Sequence, residues 1–371
     1  MKISNNTPFE VIALPVEAPG VGPVLTIVVK GTFGIQPGEC ATVFLEQIPV
    51  AFGDERYDEM GAGSVKFESD IAPFKPRADI ILVGKACAPG GRPVQILDVM
   101  LRVGQVKKVI RVFGDRHWQC AGRLLPEHSS VPKPFVTMNL VYERAFGGID
   151  MEGGGYCAEN LVGRGFIAKK SKKSLDGLPL PNLEDPNNLI KSWKDRPKPV
   201  GFGFYGRAWM PRLGYLEACD NHKKQENASM SQTDSLFNHH NGAHPDLQMD
   251  GYLRGDEEVE LVNLTPDGTI PFQLPGIKIS CKVTKSVERI AEAGSNSSEQ
   301  ESEHIAGLKE KDMDEGLEEV NEDLSPVTEE VDLNLDTLCL IPDEKRFYLI
   351  WRGLCPIHDL KALEIKGIEI W

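Results

Sequence analysis

Val94 to Val103 (VQILDVMLRV), Gly104-Gln105 and Val106 to Phe113 (VKKVIRVF) read as a strand, a tight connection and a returning strand. Val94, Ile96, Val99, Leu101 and Val103 alternate roughly with polar neighbours, the period of a half-buried strand. The same rhythm recurs on both sides. Upstream, Val24 to Phe33 (VLTIVVKGTF) is β-branched and aromatic, and Gly34 to Cys40 carries the turn signal Gly-Ile-Gln-Pro-Gly. Ala41 to Ile48 is the expected partner, making Val24–Ile48 a hairpin. Ile80 to Ala86 is a further strand, ended by Pro89-Gly90-Gly91-Arg92-Pro93. Downstream, Val259 to Leu264 and Thr269 to Leu274 flank the turn Thr265-Pro266-Asp267-Gly268. Ile277 to Val283, Leu333 to Ile341, Arg346 to Arg352 and Leu363 to Trp371 complete the strands. Short strands with turn signals at this spacing predict a mainly β fold. Antiparallel sheets would form sandwich- or barrel-like units with long proline- and glycine-rich loops and few short helices. Leu216 to Gln225 is the expected short helix, and Asn227 to Asp246 reads as a long surface loop.

The chain divides by composition into a β-rich unit over 1–130 and a loop-rich central region over 131–285. An acidic segment follows over 286–332, then C-terminal strands over 333–371 that pack back on the β body. Ser286 to Asp332 carries 16 acidic and 3 basic residues and no Phe, Trp or Tyr. Such a composition buries too little apolar surface to offset chain entropy, which predicts a disordered insert. It also accounts for nearly all of the net charge of −14, so the folded body carries no strong field. Neither a nucleic-acid groove nor a basic membrane face is indicated. No apolar run reaches the length of a membrane span, and no signal peptide is evident at Met1 to Phe9. The eight cysteines are dispersed without a CxxC spacing, as expected of reduced thiols in the cytoplasm.

Between Pro134 and Phe166 charges sit inside aromatic and glycine clusters. Tyr142-Glu143-Arg144-Ala145-Phe146-Gly147-Gly148 is followed, after Gly153-Gly154-Gly155, by Gly163-Arg164-Gly165-Phe166. A Glu143–Arg144 or Glu143–Arg164 pair packed by Tyr142, Phe146 and Phe166 would form a polar keystone between the earlier and later sheets. The same residues could instead form a binding or catalytic centre. Asp115, Arg116, His117 and Trp118 are secondary candidates, either as a structural Asp–Arg pair under a tryptophan or as an acid/base pair. His239, His240 and His244 have partial metal-ligand spacing, but Asn241-Gly242 and Pro245 oppose a helix there and no acidic partner can be named. No nucleophile elbow, P-loop or dinucleotide fingerprint occurs, so neither a metal nor a cofactor is expected.

Six motifs then carry a resemblance. They are Pro73-Phe74-Lys75-Pro76-Arg77, Val112 to Trp118, Tyr142 to Gly148, Val162 to Phe166, Leu180-Pro181-Asn182-Leu183-Glu184-Asp185-Pro186, and Arg352-Gly353. In this order the chain resembles the bacterial domain-of-unknown-function 2169 family, which adds Phe74 and Arg77 to the candidates. The resemblance implies a cytoplasmic adaptor or chaperone of the type VI secretion system. Such a protein binds a toxic effector and helps mount it on the spike protein VgrG or the PAAR tip, without catalysis. Asn160-Leu161-Val162-Gly163 departs from the family's Asn-Pro-Val/Ile-Gly, and the Gly214–Asp246 region departs further. An enzyme with a pocket around Glu143, Arg144, Arg164 and Asp115, and a structural accessory of the secretion apparatus, are the alternatives. The acidic insert is either a solvated linker or a contact for a basic toxin.

Overall fold

The structure, a computed structural model, describes residues 3–18, 22–58, 60–120, 127–171, 173–216, 237–287, 325–356 and 364–370. Its largest sheet runs in the order Gln248–Met249, Ala78–Leu82, Asn334–Ile341, Arg346–Pro356, Gly22–Gly34, Glu10–Ala18. Neighbours are antiparallel except Ala78–Leu82 and Asn334–Ile341, which are parallel. Gly22–Gly34 is buried from Val24 to Gly34, and Ala78–Leu82 is buried throughout. Strands covered on both faces read as near-continuous apolar runs, here interrupted by the buried charges Lys30 and Asp79.

The second sheet orders Leu183–Glu184, Val106–Phe113, Ile96–Val103, Glu258–Val262 and Thr269–Gln273, all antiparallel. The predicted hairpin forms with Val103 opposite Val106 and with Gly104 at φ +53°. Its inward residues Val99, Leu101, Val103, Ile110 and Val112 share one continuous core with the first sheet. Phe272 of the second sheet and Phe347 of the first lie 5.6 Å apart across that core. The fold is thus mainly β, built of antiparallel sheets packed sandwich-like, and among the described residues no sheet closes into a barrel. A third sheet joins Ile3–Asn5, Glu364–Ile370, Cys281–Val287 and Ser325–Glu330.

Two expectations are corrected. Gly22–Gly34 does not form its main hairpin with Ala41–Ile48, of which Thr42–Val43 alone pairs with it. A strand buried on both faces needs two full-length neighbours, and these are Glu10–Ala18 and Arg346–Pro356. The stretch expected to be disordered, 286–332, is paired at its edges. Its flanks Ser286–Val287 and Ser325–Glu330 pair as strands, and 288–324 lie outside the described residues. A helical turn covers 212–216, while the rest of the helix expected to Gln225 also lies outside them.

Charges thread the core of the large sheet. Lys75 Nζ donates to Asp79 at 2.8 Å and to the Thr337 hydroxyl at 3.0 Å, and that hydroxyl donates to Asp336 at 2.8 Å. Asp336 accepts from Arg352 Nε at 2.6 Å, and Arg352 Nη1 donates to the carbonyls of Asp70 and Ala72. The Asp70 carboxylate takes Lys30 Nζ at 2.7 Å. All these side chains are buried. Asp79 also accepts from Asn241 Nδ2 and from the Gly242 and Ala243 N–H groups, so its charge is fully solvated by protein. Removing one member strands its partner's charge in the core, at about 3–5 kcal/mol. Asp336→Ala is therefore expected to lower stability by that order, read as a lower urea midpoint with an unchanged m-value.

Candidate functional site

The central motif is held by close backbone packing. Phe146–Gly147 pairs in parallel with Arg164–Gly165. Gly148 adopts φ +105°, and a Cβ there would meet the Gly163 carbonyl at 2.5 Å; Gly165 adopts φ +91° with Pro181 at 2.8 Å from the same imagined atom. Both positions therefore require glycine. Gly147 and Gly163 close on the buried Asn160, whose Nδ2 donates to the carbonyls of Tyr142 and Phe146. Tyr142 is buried and packs edge-on against Tyr205 and Trp209. Phe146 and Phe166 lie 6.5 Å apart, and the Arg196 guanidinium lies 5.1 Å from the Phe166 ring.

The charges pair differently from the expected Glu143–Arg144 or Glu143–Arg164 bridge. The Glu143 carboxylate accepts from the Ser64 N–H at 2.6 Å and the Ser64 hydroxyl at 2.8 Å. Arg164 Nε donates to the Glu143 backbone carbonyl at 2.9 Å. Arg144 Nη1 reaches Asn182 Oδ1 at 3.0 Å and Asp115 at 3.4 Å. Burial and the neighbouring Arg144 charge lower the Arg164 pKa. The Asn182 hydrogen bond holds Asp115 below the usual carboxylate range. Glu143 is thus free of the arginines and serves a distant loop, because 142–144 form a 3-10 turn that aims it there.

The secondary candidates separate. Asp115 pairs with Arg144, whereas Arg116 is buried against Glu184 and its guanidinium lies 3.7 Å from the Phe113 ring. No Asp115–Arg116 pair forms. His117 Nδ1 meets the Ser130 hydroxyl at 3.3 Å, and Trp118 is buried, its strand pairing with Ser129. Phe74 packs edge-on against Phe237; Arg77 is exposed beside Asp250 at 3.6 Å. The histidines are not on a surface loop. His239 and His244 are buried, with His239 Nδ1 on the Arg212 carbonyl and His244 Nε2 on the Pro199 carbonyl. Burial pushes His240 and His244 down to about 3. Residues 227–236 of that stretch lie outside the described residues.

The stretch leading to Ser64, which Glu143 holds, exposes several large apolar side chains. Between Val43 and Met60 five large apolar side chains face solvent: Val43, Leu45 at 101% exposure, Phe52 at 67%, Tyr57, and Met60 at 93%. Buried or half-buried polar groups pin this loop. Gln47 exchanges hydrogen bonds with the Thr32 backbone, Asp70 accepts from the Ala51 N–H, and Asp54 accepts from the Ser69 N–H. Glu68, at the loop's end, is buried against Arg212 at 2.8 Å. Residues 48–51, 53 and 55 of the loop line a cavity of about 260 Å³.

The family model described as "Uncharacterized protein conserved in bacteria (DUF2169)" matches residues 21–352. The chain belongs to this family. No curated protein and no solved structure matches the chain.

Residues of the six stretches that carry the resemblance stand among the buried supports. Lys75 and Arg352 stand in the charged thread, and Glu184 stands against Arg116. Sequence reading missed Lys30, Asp70, Asp79 and Asp336 as partners, although each is a charge set in or beside an apolar run. It also missed Phe52 and Leu45, because exposure of a large apolar side chain leaves no mark in composition. Among the described residues, no group of three or more His, Cys, Asp or Glu could hold a metal ion, and no helix is long and apolar enough to cross a membrane.

Glu143→Ala should cost about 1–3 kcal/mol, because it strips the acceptor from the buried Ser64 N–H and hydroxyl. Urea unfolding measures the loss, and proteolytic cleavage should rise between residues 55 and 64. A folded, equally stable variant that no longer binds its partner would instead make Glu143 an interface residue. The histidines set a pH dependence. Their folded pKa values lie below the ordinary 6.5, so the unfolded chain takes up protons first and stability falls as pH drops below about 6.5. Between about pH 6.5 and 5 the wild-type urea midpoint should therefore fall, and His244→Gln should flatten that slope.

Proposed function

We propose that this chain is an adaptor, or chaperone, which binds a type VI secretion effector and helps load it onto the VgrG or PAAR spike. It does so in the cytoplasm, by protein–protein recognition and without catalysis. The observation that carries this reading is the pinned loop from Val43 to Met60. Several large exposed side chains within one short stretch, Leu45, Phe52 and Met60 among them, make it a candidate contact surface. A flexible loop would lose much of the gain from such contact to ordering, whereas this one is anchored through Gln47, the Ala51 N–H on Asp70, and Asp54, with Glu143 holding Ser64 just beyond it. The six ordered motifs supply the secretion context through the family resemblance.

The test is affinity capture of the full-length tagged chain from its native cytoplasm. A toxin or a spike protein, or both, should co-enrich in stoichiometric amounts. Recovery of neither overturns the adaptor reading. Stable retention in purified spike or sheath would favour a structural component instead.

A further inference from the structure

The near-neutral total of the folded body hides a local imbalance. From Arg164 to Lys198 the chain carries nine basic and four acidic residues. Arg196 fastens two loops of this stretch together. Its guanidinium donates to the Ile167 carbonyl at 2.5 Å and lies over the Phe166 ring, and it also donates to the Trp193 and Asp195 carbonyls. The Asp195 carboxylate accepts from the Lys191 and Ser192 N–H groups and folds Lys191 back onto the same turn. Lys169 and Lys170 of one loop, and Lys191, Lys194 and Lys198 of the other, are thereby brought to one surface, all exposed. Among the described residues none of the five makes an ion pair. The remaining carboxylates of the stretch are engaged elsewhere. Asp176 accepts from the Cys120 N–H, Glu184 is buried against Arg116, and Asp185 accepts from the Asn187 N–H.

An apolar hairpin is tied to the first of these loops. In the pair Ile149–Asp150 and Gly155–Tyr156, Asp150 takes the Ala168 N–H and Lys173 Nζ. Ile149 and Tyr156 stand directly opposite each other and are exposed, as is Met151 at the turn. Charge and chemistry together select the occupant. Five unpaired ammonium groups favour an anion. The guanidinium groups that would grip phosphate in a fork are spent, Arg196 on three carbonyls and Arg164 Nε on the Glu143 carbonyl. Exposed Glu152 follows Met151 at the turn and opposes the dense phosphates of a nucleic acid or lipid surface there. Spaced carboxylates on a protein segment, with an aromatic side chain for Met151 and Tyr156, meet neither objection. The acidic stretch of this chain, Ser286 to Asp332, has no Phe, Trp or Tyr to offer that hairpin.

We propose that this surface binds an acidic segment of a partner protein, its carboxylates on the five lysines and an aromatic side chain on Ile149, Met151 and Tyr156. The proposal rests on the reading of the chain as a protein-recognition module and names a surface and a partner chemistry for that module.

The test uses the full chain with ¹³C-labelled isoleucine and methionine methyl groups. Ile149 and Met151 report on the surface, and Ile27 in the core is the control. The probe is the peptide Glu-Asp-Ala-Trp-Ala-Asp-Glu. It should shift the Ile149 and Met151 resonances saturably, leave Ile27 unmoved and bind more weakly as salt rises. Replacing all four acids by lysine should abolish the shifts, and replacing the tryptophan by alanine should weaken binding about tenfold. Two paired reversals, Lys169→Glu with Lys170→Glu and Lys191→Glu with Lys194→Glu, change exposed side chains only. Each pair should weaken binding about tenfold, while arginine at the same positions should preserve it. Unmoved Ile149 and Met151, equal binding of the lysine peptide, or indifference to either reversal overturns the proposal. So does tighter binding of a single-stranded thymidine pentanucleotide, or recovery of the chain on phosphatidylserine vesicles, which would make phosphate the ligand. A shift of the same methyls on diluting the protein alone also overturns it, by making a second copy the occupant. If capture from the cytoplasm fails while the acidic peptide binds here, the secretion reading falls and the surface stands. The reverse result removes the surface alone.

Discussion

One buried line of charge holds the molecule together. It runs from Asp79 through Lys75, Thr337, Asp336 and Arg352 to Asp70 and Lys30, across the middle of the largest sheet. Each member is costly to bury alone, and the line is tolerable only when complete. It therefore specifies which segments meet. Ala78–Leu82, Asn334–Ile341, Arg346–Pro356 and Gly22–Gly34 come from opposite ends of the sequence, and apolar strands alone would pair in several registers. Fixed ion pairs select one. Gly353 adds a steric condition, since a Cβ there would meet Leu333 at 2.5 Å, so the segment entering Asn334–Ile341 can cross the strand at that point.

The same line reaches the surface. Asp70 binds Lys30 on one side and the Ala51 N–H on the other, so the core network ends in the loop that carries Phe52. Glu143 performs a parallel service from the central motif, through Ser64. The loop inherits the rigidity of two separate parts of the body. This explains why charged residues in the central motif face a loop and not each other, and why its arginines turn to Asp115, Asn182 and a backbone carbonyl.

Local structure was legible in the sequence where pairing is local. The Ile96–Phe113 and Glu258–Gln273 hairpins, and the one turning at Pro342–Glu344, follow from alternation and turn residues close in the chain. The neighbours of Gly22–Gly34 were not legible, since one of them lies in the last part of the chain and turn signals say nothing about it. The glycine requirement around Gly148 and Gly165 was readable from the clustering of glycines beside aromatic residues. The partner of Glu143 was not, because Ser64 is 79 positions away and nothing local distinguishes it from the adjacent Arg144. Polar Asn241, His239 and His244 looked like a surface loop because their composition is that of one. Asp79 draws the backbone of Gly242 and Ala243 inward, and the histidines follow.

Arg346–Pro356 lies at the centre of the large sheet, with Lys30 opposite Ile350, some 320 positions later in the chain. A ribosome delivers Gly22–Gly34 long before that neighbour exists. For most of its synthesis the apolar strand has one open edge, and Lys30 and Asp70 wait beside a site that Arg352 has yet to enter. Completion of this sheet is therefore late, and its contact order is high. A nascent chain of this kind spends its vulnerable period with an adhesive strand exposed, the condition in which unpaired edges aggregate unless they are covered.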